Sequence, residues 1–98
     1  MDPQIIFTYS NGGRRFFSVR PFPSVCTRQI DIEIIDGVLT KVDFYGGCAG
    51  NTQAVASLLR GMRVEEAIKR LDGIDCNFRG TSCPDQLARA LKYVMTEG

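Results

Sequence analysis

The chain has 98 residues, of which 44% are hydrophobic and 23% charged, and its 12 lysines and arginines nearly balance its 11 aspartates and glutamates. This length suits a single domain over residues 1–98, and the balanced charge argues against nucleic acid as a main partner. No apolar run is long enough to cross a membrane, and the first residues lack the pattern of a secretory signal, so we expect a cytoplasmic protein.

The first part of the chain predicts a β-hairpin. Residues 5–9 and 15–20 are apolar and favour strands, and Asn11-Gly12-Gly13 between them is a turn signal. Phe16 and Phe17 are both expected to face the core. The chain must then leave the sheet, because the prolines that follow have no N–H group to donate.

A second hairpin is predicted after the proline-containing loop. From Gln29 onward isoleucines alternate with polar residues, which is the period of a half-buried strand. Asp36-Gly37 then supplies a two-residue turn, and residues 38–45 return as the next strand. The core face of that strand is expected to comprise Val38, Val42 and Phe44.

Three helices are predicted in the second half of the chain. The first is expected to be capped by Asn51 or Thr52 and to end at Arg60, and the last to run from Cys83 to near Thr96. The second has apolar residues at helical spacing from Val64 to Leu71 and is expected to end at Gly73. The apolar face of the first helix is expected to comprise Val55, Leu58 and Leu59. Strands followed by helices favour an α+β fold, in which an antiparallel sheet of about four strands carries two or three helices on one face.

The cysteines are the candidate functional residues, because the chain has 4 of them and no histidine. Cysteines of a cytoplasmic protein stay reduced, so metal binding or catalysis explains them better than a disulfide framework. Thiolates select zinc or an iron–sulfur cluster over calcium or magnesium. The candidate metal ligands are Cys26, Cys48, Cys76 and Cys83, and the carboxylates that offer a further ligand are Asp43, Asp75 and Asp85.

The segment Thr81-Ser82-Cys83-Pro84-Asp85 places a thiol at the start of the last helix. The Ser82 hydroxyl can cap that helix, and Asp85, three residues later, can complete a capping box. The unpaired N–H groups of a helix start and the helix dipole stabilise a thiolate. Cys48 also precedes a predicted helix, which favours a shared site with Cys83 over two unrelated core cysteines.

This segment, together with the glycine-rich Gly46-Gly47-Cys48-Ala49-Gly50-Asn51, resembles the two cysteine motifs of the TSCPD domain in its small stand-alone form. The same domain forms a C-terminal part of adenosylcobalamin-dependent ribonucleotide reductases. The resemblance therefore implies ribonucleotide reductase as a candidate protein partner, and it implies no settled activity for the stand-alone form.

The chain is also similar, more distantly, to the IscU/NifU-type iron–sulfur scaffold proteins. Cys26, Cys48 and Cys83 fall where the three cysteine ligands of the scaffold fall, and this likeness implies the scaffold fold. Two positions differ, since Arg28 stands in place of an aspartate and Ser82 in place of a histidine. Cys76 is a thiol that the scaffold lacks, and it offers a replacement ligand.

Three functions are compatible with these features. In the first, the chain is a small metal-binding module whose four cysteines hold zinc or an iron–sulfur cluster. In the second, it is a thiol-redox accessory protein of ribonucleotide reductase, in which Cys48 or Cys76 forms a disulfide with Cys83. In the third, it is an interaction domain with structural cysteines. Its 98 residues leave no room for a reductase site, and the sequence leaves a homo-oligomer open.

Overall fold

A computed structural model describes residues 2–23, 25, 27–46, 49–74 and 83–97 of the chain. A four-stranded antiparallel sheet is followed by three helices in these ranges, so the predicted α+β fold is confirmed. The strands, which pair in sequence order, are β1 (Gln4–Asn11), β2 (Arg14–Arg20), β3 (Thr27–Ile35) and β4 (Val38–Gly46). The helices are α1 (Ala49–Leu59), α2 (Val64–Leu71) and α3 (Cys83–Glu97). None of these helices is long and apolar enough to cross a membrane.

The turn between β3 and β4 has the backbone conformation that its sequence predicts. Asp36 has a φ angle of 52° and Gly37 a φ angle of 80°. Positive φ at both central residues is the requirement of a type I′ turn, whose twist matches that of the two strands. The strands are therefore joined by two residues, and Ile30, Ile32 and Ile34 of β3 are buried on the same side of the sheet.

The core lies between one face of the sheet and the three helices. The sheet contributes seven buried apolar side chains, which are Phe17, Val19, Ile30, Ile32, Ile34, Leu39 and Val42. The helices contribute nine, which are Leu59, Val64, Ala67, Leu71, Leu87, Ala88, Ala90, Leu91 and Val94. Because each large side chain gains about 1.5–3 kcal/mol from full burial, this shared core is what holds the helices on the sheet.

A β-bulge changes which residues of β4 face the core. The pairing of β3 with β4 shifts next to Ile34, where Thr40 becomes an extra residue in β4. Leu39 is therefore fully buried beside Val42, whereas Val38 is half-buried. The expected core position of Val38 is wrong, because the two-residue period of a regular strand cannot reveal a bulge.

Phe17, but not its neighbour Phe16, is a core residue. Phe17 is buried, while Phe16 lies on the opposite face of the sheet, where its ring meets that of Phe7 edge-on with the ring centroids 6.1 Å apart. Adjacent side chains of a strand point to opposite faces. The expectation that both phenylalanines face the core is therefore wrong.

Helix α1 begins earlier than predicted. It starts at Ala49, so Asn51 and Thr52 lie inside the helix and neither residue is its N-cap. Leu59 is buried as expected, but Leu58 is 75% exposed. Adjacent residues of an α-helix are turned by about 100° from one another, so only one of these two leucines can face the sheet. The predicted apolar face is wrong at Leu58.

The connection between α1 and α2 is fixed to the start of β4. The N–H of Leu39 donates to the carbonyl of Met62 at 2.8 Å, and the N–H of Gly61 donates to the carbonyl of Leu39 at 2.7 Å. The N–H of Val64, the first residue of α2, donates to the carbonyl of Gly37 at 3.0 Å. These bonds determine where α2 begins, and α2 then spans the predicted apolar repeat.

Candidate functional site

Cys83 is the first residue of α3, as predicted, and its side chain is half-buried. The hydroxyl of Thr27 donates a hydrogen bond to its sulfur, with Oγ1 and Sγ 2.8 Å apart. Thr27 is the first residue of β3 and is itself buried. This hydrogen bond joins the start of a strand to the start of a helix, so the thiol has a defined position relative to the sheet.

Two buried polar side chains in the same turn of α3 hold other segments of the chain. Asp85 is 2% exposed, and its carboxylate accepts from the N–H of Gly73 at 2.8 Å and from Nε of Arg89 at 2.9 Å. The side-chain oxygen of Gln86, which is fully buried, accepts from the N–H of Phe22 at 2.9 Å. We call the following four residues the α3 start cluster: Thr27, Cys83, Asp85 and Gln86.

Arg89 supplies a permanent positive charge beside the buried carboxylate of Asp85. Its guanidinium also donates to Asp2 at 3.1 Å. The hydrogen bonds to Asp85 and then to Asp2 raise the pKa of Arg89 above its ordinary value. Arginine is charged at any pH at which proteins are handled, so the ion pair with Asp85 persists wherever that carboxylate is ionised.

Thr27 and Gln86 are the cluster residues that sequence reasoning missed. Residues 84–88 are all buried, so the start of α3 is enclosed on every side. A helix of this kind has no single apolar stripe, and the helical period therefore gave no reason to expect a buried Gln86. The sequence signal that could have identified Thr27 is its position directly after Cys26, a candidate ligand.

Most of the predicted site lies outside the described residues. The predicted site residues outside the described ranges are Cys26, Cys48, Cys76, Asp75 and Ser82. Within the described ranges, no three histidine, cysteine, aspartate or glutamate side chains are grouped so as to hold a metal ion. The four-cysteine site therefore stays a prediction. Asp43, a candidate further ligand, lies on the sheet face away from the helices, where Lys41 is 3.5 Å from its carboxylate.

Two strand ends lie at the α3 start cluster, and each of them is close in sequence to another cysteine. Thr27, whose hydroxyl contacts Cys83, directly follows Cys26. Its partner in β4 is Gly46, which precedes Cys48 by two residues. The start of β3, the end of β4 and the start of α3 therefore meet at one end of the sheet.

The end of α2 also reaches the α3 start cluster. Gly73 follows that helix, has a φ angle of 81°, and donates its N–H to Asp85. Cys76 is three residues further along the chain. Each cysteine outside the described ranges therefore has a described residue within three positions of it in the chain. That residue is hydrogen-bonded to, or paired in the sheet with, a residue of the α3 start cluster.

A second polar group lies on the opposite face of the sheet near the same end. One carboxylate oxygen of Asp31 accepts from the hydroxyl of Ser18 at 2.7 Å and from the side-chain amide of Gln29 at 2.9 Å. The negative charge of Asp31 and a hydrogen bond to its carboxylate raise the pKa of Tyr45 above its ordinary value. The folded protein therefore favours the protonated phenol.

Replacing Asp31 by asparagine is expected to lower the pKa of Tyr45 toward its ordinary value of about 10. Because the folded-state pKa is raised, the stabilisation from this contact is complete below the ordinary pKa and is lost as the pH rises through the folded value. Absorbance titration of the phenolate measures the shift, with Tyr45→Phe identifying the Tyr45 component. Asp43→Asn is the control and should give a smaller shift in the same direction. Superimposable curves for the wild type and Asp31→Asn would refute this assignment.

Comparison with known proteins identifies one family. The family model of the TSCPD domain matches residues 7–95 of the chain, a segment that contains most of β1, the other three strands, the starts of the three helices and the four cysteines. No curated protein and no solved structure matches the chain. The likeness to the iron–sulfur scaffold proteins stays a prediction.

Proposed function

The chain belongs to the TSCPD domain family, and we propose that it is a small module whose four cysteines bind zinc or an iron–sulfur cluster. The hydrogen bond between Thr27 and Cys83 is the observation that supports this proposal most directly. It brings the residue that follows Cys26 into contact with the thiol at the start of α3, although the two residues are 56 positions apart.

Short stretches of chain separate the other two cysteines from the α3 start cluster. Cys48 follows Gly46 by two residues, and Cys76 follows Gly73 by three. Fully extended segments of these lengths reach roughly 7 and 11 Å. Because Gly46 is paired with Thr27 and Gly73 donates to Asp85, such reaches are compatible with four thiols around one centre.

The chemistry of the donor set fits a soft metal centre. The chain offers four thiols and no histidine, and the thiolate is the form that binds a metal. Cys83 lies at the start of α3 and accepts a hydrogen bond from the Thr27 hydroxyl, a contact of the kind that orients a metal ligand. Zinc held by four thiolates would be a closed structural site, whereas iron with sulfide would make the module an electron or cluster carrier.

Purified anaerobically, the full chain is expected to contain about one zinc ion or one iron–sulfur cluster per molecule. Elemental analysis, sulfide assay and the ultraviolet–visible spectrum measure the centre. Cys83→Ser is expected to lose it. Thr27→Val, which keeps the volume of the side chain but removes the donor to the sulfur, should weaken metal binding by about 10- to 100-fold. Thr27→Ser is the matched control, because it keeps the hydroxyl.

Two results would overturn the proposal. The first is a protein that contains no metal and takes up neither zinc nor, under anaerobic reconstitution, iron and sulfide. The second is a Cys83→Ser variant that keeps the wild-type amount of metal. Far-UV circular dichroism of each variant shows whether the fold is intact, so that loss of a ligand is distinguished from loss of structure.

A further inference from the structure

In the part of the chain that the structure describes, the outer edge of β1 has no partner strand, and β1 contains no charges or prolines. It is the first strand in the sheet order, and within the described ranges β2 is its sole strand partner. Of its eight residues, seven are exposed, and none from Gln4 to Asn11 is charged or a proline. Phe7 is 53% and Tyr9 50% exposed. Proteins usually protect such an edge with charges, prolines, β-bulges or a covering element, because its unpaired backbone groups recruit another strand. Of these devices β1 itself has a β-bulge at Ile6, and the strand from Phe7 to Asn11 pairs regularly with β2.

We propose that β1 pairs with β1 of a second copy of this chain, antiparallel about a two-fold axis, so that two four-stranded sheets join into one. Strand addition satisfies the unpaired N–H and C=O groups of both edges with main-chain hydrogen bonds. A two-fold arrangement uses the same surface on both copies and closes at the dimer. This self-association involves no cysteine and is independent of metal binding.

The hairpin determines which backbone groups point to the free edge. Asn11 and Arg14 flank the two-residue turn and form its closing hydrogen-bonded pair. Hydrogen-bonded and non-bonded pairs alternate along an antiparallel ladder, so the N–H groups of Thr8 and Ser10 are directed away from β2. A second copy must pair through these groups. The register centred on Thr8, with Thr8 opposite Thr8 of the second copy, satisfies this condition.

The same register joins the exposed aromatic side chains. Residues directly opposite in a ladder lie on the same face, so Phe7 lies opposite Tyr9 of the second copy, and this pair occurs twice. Phe7 already contacts Phe16 edge-on. The dimer would therefore bury a continuous aromatic cluster built from Phe7, Tyr9 and Phe16 of both copies, and cross-strand aromatic pairs stabilise sheets.

The charges at the two ends of β1 favour the antiparallel direction. The Asp2 side chain, which is 83% exposed, precedes the strand, and Arg14, 59% exposed, follows its turn. Asp2 pairs with Arg89, and Arg14 pairs with Glu33. An antiparallel pair places the start of one strand beside the turn of the other, so the end of β1 that carries Asp2 lies on the side of the turn that carries Arg14. A parallel pair would instead place like charges together at both ends, which is unfavourable.

Substitution of Thr8 tests the dimer. Thr8→Pro removes an N–H that points away from β2, so the bonds within the chain are retained, and it should raise the dimer dissociation constant by roughly 100-fold or more. Thr8→Val keeps the N–H and is expected to remain dimeric. Size-exclusion chromatography with multi-angle light scattering on the reduced, full chain measures the mass up to roughly millimolar concentration. A wild-type protein that is monomeric throughout this range overturns the proposal.

Phe7→Lys and Tyr9→Glu test the register without the risk of a proline. Each variant alone is expected to dimerise more weakly than the wild type, because a charge replaces an exposed aromatic ring. An equimolar mixture should associate more tightly than either variant, since the introduced lysine then faces the introduced glutamate while an aromatic pair survives. A mixture that associates no more tightly than the separate variants, or a folded Thr8→Pro protein that dimerises like the wild type, overturns the proposed pairing.

Discussion

Replacing Asp85 by alanine is expected to lower the free energy of unfolding by about 3–5 kcal/mol. The carboxylate is 2% exposed and accepts hydrogen bonds from the N–H of Gly73 and from Arg89. Its removal takes away a charged acceptor from a region that water does not reach, and it detaches the end of α2 from the start of α3. Urea unfolding of the full chain, followed by circular dichroism, measures the change.

Asp2→Ala is the matched control for this prediction. Asp2 contacts the same guanidinium at 3.1 Å, but its side chain is 83% exposed. Exposed ion pairs contribute about 0–1 kcal/mol, so the loss in this variant should be small. Similar losses from the two variants would show that the buried position of Asp85 is energetically unimportant. The expected contrast would show that Asp85, the last residue of the segment Thr81–Asp85, stabilises the fold, whereas Cys83, two residues earlier, is the proposed metal ligand.

Leu59→Ala is expected to reduce the free energy of unfolding by about 2–5 kcal/mol, because the leucine side chain fills part of the core between α1 and the sheet. The neighbouring Leu58→Ala is expected to change it by no more than about 0.5 kcal/mol, since that side chain is 75% exposed. The two substitutions remove the same atoms from adjacent positions of one helix. Chemical unfolding of both variants compares them directly. Equal losses would mean that α1 is rotated about its axis relative to the arrangement described above.

The elements that local sequence specifies were predicted well. The Asp36-Gly37 turn has the positive φ angles that its sequence requires, and α2 spans the apolar repeat from Val64 to Leu71 that predicts it. The first residue of α3 is the predicted Cys83. These features depend on hydrophobic period, turn chemistry and the preferences of helix starts, all of which act over a few neighbouring residues. The candidate site was therefore predictable as a thiol at a helix start.

Three features required the tertiary structure. The bulge at Thr40 brings Leu39 into the core, and the regular two-residue period of a strand does not reveal it. The contact of Thr27 with Cys83 joins residues 56 positions apart, and Gln86 holds the loop at Phe22 from 64 positions away.

The sequence by itself determined the α+β order, the turns, most of the core and the position of Cys83, because each follows from interactions between residues that are near one another in the chain. The tertiary structure alone decided which side chain contacts that thiol and, within the described residues, which strand edge has no partner strand. Partners distant in the chain come together when apolar faces pack, and that packing brings Thr27 to Cys83, Gly73 to Asp85 and Phe22 to Gln86. Seven of the eight residues of β1 stay exposed.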